Sequence, residues 1–64
     1  MSPIHNANRV LYAIPDAAEQ LSVSARVLER LIADGQIETV KIGRRRLVPA
    51  EALEDYVERL KAAS

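Results

Sequence analysis

The chain has 64 residues, no cysteine and a formal net charge of zero at pH 7. A chain of this length forms one small domain with a thin core and no deep substrate cavity, so an enzyme is not expected. Without cysteine we expect no disulfide, and with one histidine (His5) we expect no metal site and no cofactor. No apolar run approaches the roughly 20 residues that span a bilayer, so we expect no membrane contact.

The N-terminal third predicts an arm followed by a helix. Residues 1–10 show no hydrophobic period and indicate a flexible arm, so the folded domain is predicted over residues 11–62. Leu11 and Tyr12 begin a short extended piece. Apolar residues then recur at helical spacing and predict a first helix over residues 14–21, with Pro15 in its first turn: Ile14, Ala17, Ala18 and Leu21.

A second helix is predicted after a break of about three residues. Ser24 is a good N-cap and Gly35 a strong stop, which sets the helix at residues 25–34. Its buried side is predicted to hold Leu28, Leu31 and Ile32, with Val27 alongside. Two helices joined by so short a turn form a helix-turn-helix.

The hydrophobic period changes beyond Gly35. Dense β-branched residues from Ile37 to Ile42 predict a strand, and the Gly43-Arg44 turn returns it over residues 45–48 as a two-stranded hairpin. Pro49 is predicted to be the first residue of a third helix. The apolar side of that helix is read from the same spacing: Leu53, Tyr56, Val57 and Leu60.

The outward face of the second helix is the first candidate binding surface. Arg26 and Arg30 lie one turn apart and can reach phosphates or the guanine edge in a major groove. Glu29 can accept a hydrogen bond from cytosine or merely order its arginine neighbours. The alternative is an ordinary solvated helix face. The candidate residues on this face are Ser24, Ala25, Arg26, Glu29 and Arg30.

The hairpin is the second candidate surface. Within six residues it carries four cations, Lys41, Arg44, Arg45 and Arg46. Like charges this close repel one another, and a polyanion is the natural compensation. Residues 24–47 hold six cations against three acids, whereas residues 49–64 hold two cations against four acids. An arginine-rich hairpin fits a minor groove, although a solubilising turn is the alternative.

These elements together resemble the winged helix-turn-helix domain of phage excisionases and of the DNA-binding end of MerR-type regulators. The most specific match is Lys41-Ile42-Gly43-Arg44-Arg45 followed by Val48-Pro49. The segment from Tyr12 to Ala18 and the pairs Val23-Ser24 and Leu31-Ile32 also match, whereas Ser22 stands where glycine is common. The implied fold is mainly α with a small β-hairpin: a helix-turn-helix, a two-stranded wing and a C-terminal helix.

The resemblance implies a function as well as a fold. A short winged helix without a dimerisation coiled coil looks most like an excisionase of the mycobacteriophage type. Such proteins bind repeated sites in attachment DNA cooperatively, bend the DNA and direct the integrase toward prophage excision, which implies a place in the host cytoplasm at the nucleoid. The implied partners are double-stranded DNA, phage integrase and neighbouring copies of the protein.

Two other interpretations remain open from the residues. A small MerR-like transcriptional regulator uses the same fold, and it typically reads inverted rather than direct repeats. A protein-interaction module would instead turn the basic hairpin toward an acidic protein. The acids of the third helix either face the wing of a neighbouring copy or form a solvated surface; they are Glu51, Glu54, Asp55 and Glu58.

Overall fold

The computed structural model describes residues 10–63, so the predicted arm with His5 lies almost wholly outside it. The described chain forms three helices and three short strands. In order they are β1 (Leu11–Ala13), α1 (Ile14–Leu21), α2 (Ala25–Ala33), β2 (Val40–Ile42), β3 (Arg45–Pro49) and α3 (Ala50–Ala63). The predicted winged helix-turn-helix, mainly α, is confirmed. The predicted domain limits of 11–62 stay a prediction.

The turn between α1 and α2 closes through the backbone. Ser22 adopts the left-handed conformation, with φ 61° and ψ 38°, and its N–H donates to the carbonyl of Glu19 at 3.0 Å. The N–H of Val23 donates to the carbonyl of Ala18, also at 3.0 Å. These two bonds satisfy carbonyls that a helix end leaves open. A serine therefore fills the conformation that glycine enters most easily.

Helix α2 is bounded by local signals. The Oγ of Ser24 accepts a hydrogen bond from the N–H of Val27 at 3.1 Å, which confirms the predicted N-cap. At the other end α2 stops at Ala33, one residue earlier than predicted. Asp34 is the C-cap, and Gly35 has φ 79°. The N–H of Gln36 donates back to Leu31. The chain thus leaves α2 in a fixed direction.

The wing belongs to a sheet of three strands rather than two. The strand order is β1-β3-β2, and both neighbouring pairs are antiparallel. The predicted extended piece at Leu11 becomes β1, in which Tyr12 lies opposite Val48. The predicted hairpin is present as β2 and β3, but β2 begins only at Val40. Pairing with β1 attaches the base of the wing to the start of α1.

The prediction for Pro49 was wrong by one position. Pro49 is the last residue of β3, opposite Leu11, and α3 begins at Ala50. The N–H of Ala50 donates to the carbonyl of Val10 at 2.9 Å. Proline lacks an N–H to donate, so the strand can end on it without losing a bond there.

Every helix and strand except β2 contributes one or two residues to the core, and the loop after α2 contributes one more. Its buried members are Tyr12, Ala17, Ala18, Leu28, Ile37, Val48 and Leu53. The two small alanines of α1 let its neighbours approach closely. The apolar side predicted for α3 is only half right, because Leu53 is buried whereas Val57 and Leu60 are 38% and 50% exposed. A 14-residue helix of about 21 Å extends beyond so small a core.

The loop between α2 and β2 is tied to the rest of the domain at two points. Ile37 was predicted to lie in a strand, but it enters the core from this loop and is 2% exposed. Arg59 of α3 donates a hydrogen bond to the carbonyl of Gln36, and its guanidinium carbon lies 5.9 Å from the Tyr56 ring centroid. The loop that leads into the wing is therefore anchored in the core by Ile37 and bonded to α3 by Arg59.

Candidate nucleic-acid interface

The outward face of α2 is set by its one fully buried residue. Leu28 is 0% exposed, and Arg26 and Arg30 are each two positions from it, about 200° around the helix, so both point away from the core. Arg26 and Arg30 lie one turn apart and line a shallow surface cleft. All five predicted residues of this face are exposed: Ser24, Ala25, Arg26, Glu29 and Arg30.

Val27 was predicted to lie alongside the buried side of α2, but it is a surface residue. It is 43% exposed and lines the same cleft as Arg26 and Arg30. The spacing did not separate it from the buried side, because Val27 lies four residues before the half-buried Leu31. The face therefore combines two guanidinium groups with one apolar side chain.

The wing turn depends on Gly43. Its φ is 62°. Within residues 10–63, Ser22 is the one residue other than glycine that has a positive φ, so Arg44, the second turn residue, does not. A positive φ at the first of two turn residues only is the pattern of a type II′ turn, which suits the twist of a β-hairpin. The turn brings Ile42 opposite Arg45. All four predicted wing cations are exposed: Lys41, Arg44, Arg45 and Arg46.

The wing cations do not share one face of the sheet. Lys41 lies opposite Arg46, and paired residues point to the same side. Arg46 also shares its side of β3 with Val48, which is fully buried and so faces the core. Lys41 and Arg46 thus lie on the helix side of the wing, whereas Arg45 and the 57% exposed Ile42 lie on the outer side.

One contact joins the two candidate surfaces. The Nη2 atom of Arg46 lies 3.0 Å from the Oε1 atom of Glu29, and the pair links β3 to α2 across 17 positions of sequence. The side chains remain 46% and 51% exposed. The structure therefore brings Glu29 and Arg46 together, which the sequence analysis considered separately. The wing lies beside the outward face of α2.

Other kinds of site find no support in the described part of the chain. Among residues 10–63, no three histidine, aspartate or glutamate side chains are grouped as metal ligands would be. No helix in this range combines the length and the apolar character that crossing a membrane requires.

Comparison with known proteins agrees with this fold. The family described as "Helix-turn-helix domain" matches residues 11–61. A protein of Saccharopolyspora erythraea described as a probable excisionase is 46% identical over 55 residues, which are 86% of this chain and 56% of that relative. The chain thus spans a little over half of the relative's length. No solved structure matches it. The chain belongs to the helix-turn-helix domain family and is excisionase-like in sequence.

Proposed function

We propose that the protein binds double-stranded DNA, with α2 in the major groove and the wing in the adjacent minor groove. The observation that carries this proposal is the contact between Glu29 and Arg46. At this contact the wing lies beside the outward face of α2, so both basic surfaces can meet one duplex. The segregated charge supports the same orientation, because the acidic α3 is repelled by phosphates whereas residues 24–47 are attracted.

Individual residues take different roles in this arrangement. Arg26 and Arg30 contact guanine edges or phosphates from α2, and the exposed Val27 between them suits a thymine methyl group. Ser24 and Ala25 present the N-terminus of α2, whose free N–H groups favour a phosphate. Lys41, Arg44 and Arg45 attract the backbone on either side of the minor groove.

The biological role that we propose is that of an excisionase. The 46% identical relative carries that description, and the proposal extends it to this chain. The protein would bind repeated sites in attachment DNA, bend them and direct an integrase toward excision in the cytoplasm of a bacterial host. In this role it is not an enzyme, since strand exchange is the work of the integrase.

A groove between α1 and α3 supports contact with a neighbouring copy or with the integrase. Tyr12, Leu21, Leu53 and Val57 line it, and Glu54 and Glu58 give it an acidic rim. The wing of a neighbouring copy would present a complementary surface, in which the exposed Ile42 lies among cations. A module this small makes about 600–1,000 Å² of DNA contact, so added protein contacts would raise its affinity.

Footprinting with increasing protein across candidate attachment DNA tests the proposal. We expect protection of tandem direct repeats, filled cooperatively, and altered mobility when the site is moved along a fragment, as a bend requires. Protection of an inverted repeat without a bend would favour the MerR-like regulator. If a gel shift finds no duplex binding even at low salt, the DNA-binding proposal fails and a protein partner for the wing becomes the better interpretation.

A further inference from the structure

The pair formed by Glu29 and Arg46 places a negative charge on the surface assigned to DNA. Glu29 is the one acidic residue in the sequence of α2, and it lies beside Arg30 and one turn from Arg26. A carboxylate in this place repels phosphates and so lowers affinity for every DNA sequence. An ion pair this exposed also contributes little to fold stability. Neither affinity nor stability explains the residue.

Geometry offers a better explanation. Arg46 is on the helix side of β3, near α2, whereas Arg45 is on the outer side opposite Ile42. A hydrogen-bonded ion pair at 3.0 Å orients the arginine side chain toward α2 and adds a contact between β3 and α2. The same bond directs the guanidinium toward Glu29, and releasing it would let the side chain reach any nearby phosphate.

We infer that Glu29 is a specificity-determining residue that acts through Arg46. Glu29 holds Arg46 away from the DNA backbone and fixes the spacing between wing and recognition helix. Arg46 is then a positioning residue, and Lys41, Arg44 and Arg45 are the wing cations that neutralise phosphates. This inference rests on the proposed DNA binding. It assigns Arg46 a role different from the direct DNA contact predicted from the sequence.

The test is a double-mutant cycle read out by salt dependence. Binding to a fixed 20-base-pair duplex of random sequence is measured against salt for wild type, Glu29→Gln, Arg46→Gln and the double variant. Each neutralised phosphate contributes about 0.9 to the slope of log affinity against log salt. With five free cations on the two surfaces (Arg26, Arg30, Lys41, Arg44 and Arg45), we expect a wild-type slope of about −4.5.

The variants separate the two roles of Arg46. Glu29→Gln releases the guanidinium, so the slope for this variant steepens to about −5.4. If the variant and the wild type bind equally at 1 M salt, the variant then binds random duplex about eightfold more tightly than the wild type at 0.1 M salt. Arg46→Gln alone and the double variant both stay near −4.5. If Arg46→Gln instead flattens the slope by about 0.9 in both backgrounds, Arg46 contacts phosphate whatever Glu29 does, and the inference is wrong.

Two matched controls remove simpler explanations. Glu51→Gln deletes the same charge from the exposed start of α3 and should leave the slope unchanged; a change equal to that of Glu29→Gln would mean a general charge effect and overturn the inference. Arg45→Gln, next to Arg46 but on the outer side, should flatten the slope by about 0.9 with or without Glu29. A cycle with Arg45 that is as non-additive as the cycle with Arg46 would also overturn it.

Specificity is measured on DNA selected by the wild type from a randomised duplex pool. We expect the ratio of affinities for selected and random duplex to fall in Glu29→Gln, because the spacing that Glu29 sets through Arg46 favours the selected site, whereas the added phosphate contact tightens binding to both duplexes alike. An unchanged ratio would remove the specificity role. Circular dichroism and a thermal melt verify that every variant is folded. Failure of the wild type to bind either duplex at low salt would instead refute the proposed function itself.

Discussion

Replacing Ser22 with glycine should stabilise the domain. Ser22 holds φ 61° at the turn between α1 and α2, and the left-handed conformation costs an ordinary residue about 1–2 kcal/mol. Glycine avoids that cost but loses about 0.5–1 kcal/mol through its freer unfolded chain. The net gain is about 0.5–1 kcal/mol, which corresponds to a rise in Tm of about 2–8 °C for a domain of this size.

A thermal melt followed by circular dichroism measures this gain, with Ser22→Ala as the matched control. Alanine also removes the hydroxyl but keeps the Cβ atom, so its Tm should not rise. The backbone bonds from Ser22 to Glu19 and from Val23 to Ala18 remain in both variants. A Tm for Ser22→Gly equal to or below that of wild type would refute the account of this turn.

Three further changes probe the surface and the core. Arg26→Ala should alter sequence preference at one position by about 1–3 kcal/mol if the arginine reads guanine, as selection from a randomised pool will show. Replacing Arg44 and Arg45 together with glutamine should weaken binding to all duplexes and flatten the salt slope by about 1.8; an unchanged slope contradicts wing binding. Leu28→Ala should cost about 2–5 kcal/mol in urea unfolding, close to the whole stability of so small a domain, whereas a loss below 1 kcal/mol contradicts its central place in the core.

The loop that leads into the wing gives one more prediction. Arg59→Gln should lose the hydrogen bond to the Gln36 carbonyl and the contact with the Tyr56 ring. Since the Gln36 carbonyl is exposed and Tyr56 is half-buried, we expect a loss of about 1–2 kcal/mol in urea unfolding. Lys61→Gln, on the same helix and exposed, is the control and should change little. Equal stability of both variants would show that the bond does not hold the loop.

Local signals allowed much of the fold to be predicted. The bounds of α1 were predicted correctly from the spacing of its apolar residues, and Ser24 and Gly35 marked the two ends of α2 to within a residue. Gly43 correctly located the wing turn. Each of these features depends on residues within about one helical turn of each other, where backbone chemistry is decisive.

The features that were missed depend on contacts between distant parts of the chain. The spacing of apolar residues identified the apolar side of α3. It did not predict that the core ends before Val57, because the spacing within one helix carries no information about which other elements pack against it. The pairing of Tyr12 with Val48 joins two segments far apart in sequence. The bond between Glu29 and Arg46 joins residues 17 positions apart, so the sequence predicted both as site residues without predicting their contact.

The burial of Ile37 bears on how the protein and the DNA would fit one another in the proposed complex. This side chain pins the entry to β2 in the core, while Val48 pins the exit from β3. A hairpin anchored at both of its roots has little freedom to pivot independently. If the protein binds DNA as proposed, a mismatch between the span from α2 to the wing tip and the groove spacing of straight B-form duplex would be absorbed by deforming the DNA. The cost of fitting would then fall on the base-pair steps that flex most readily.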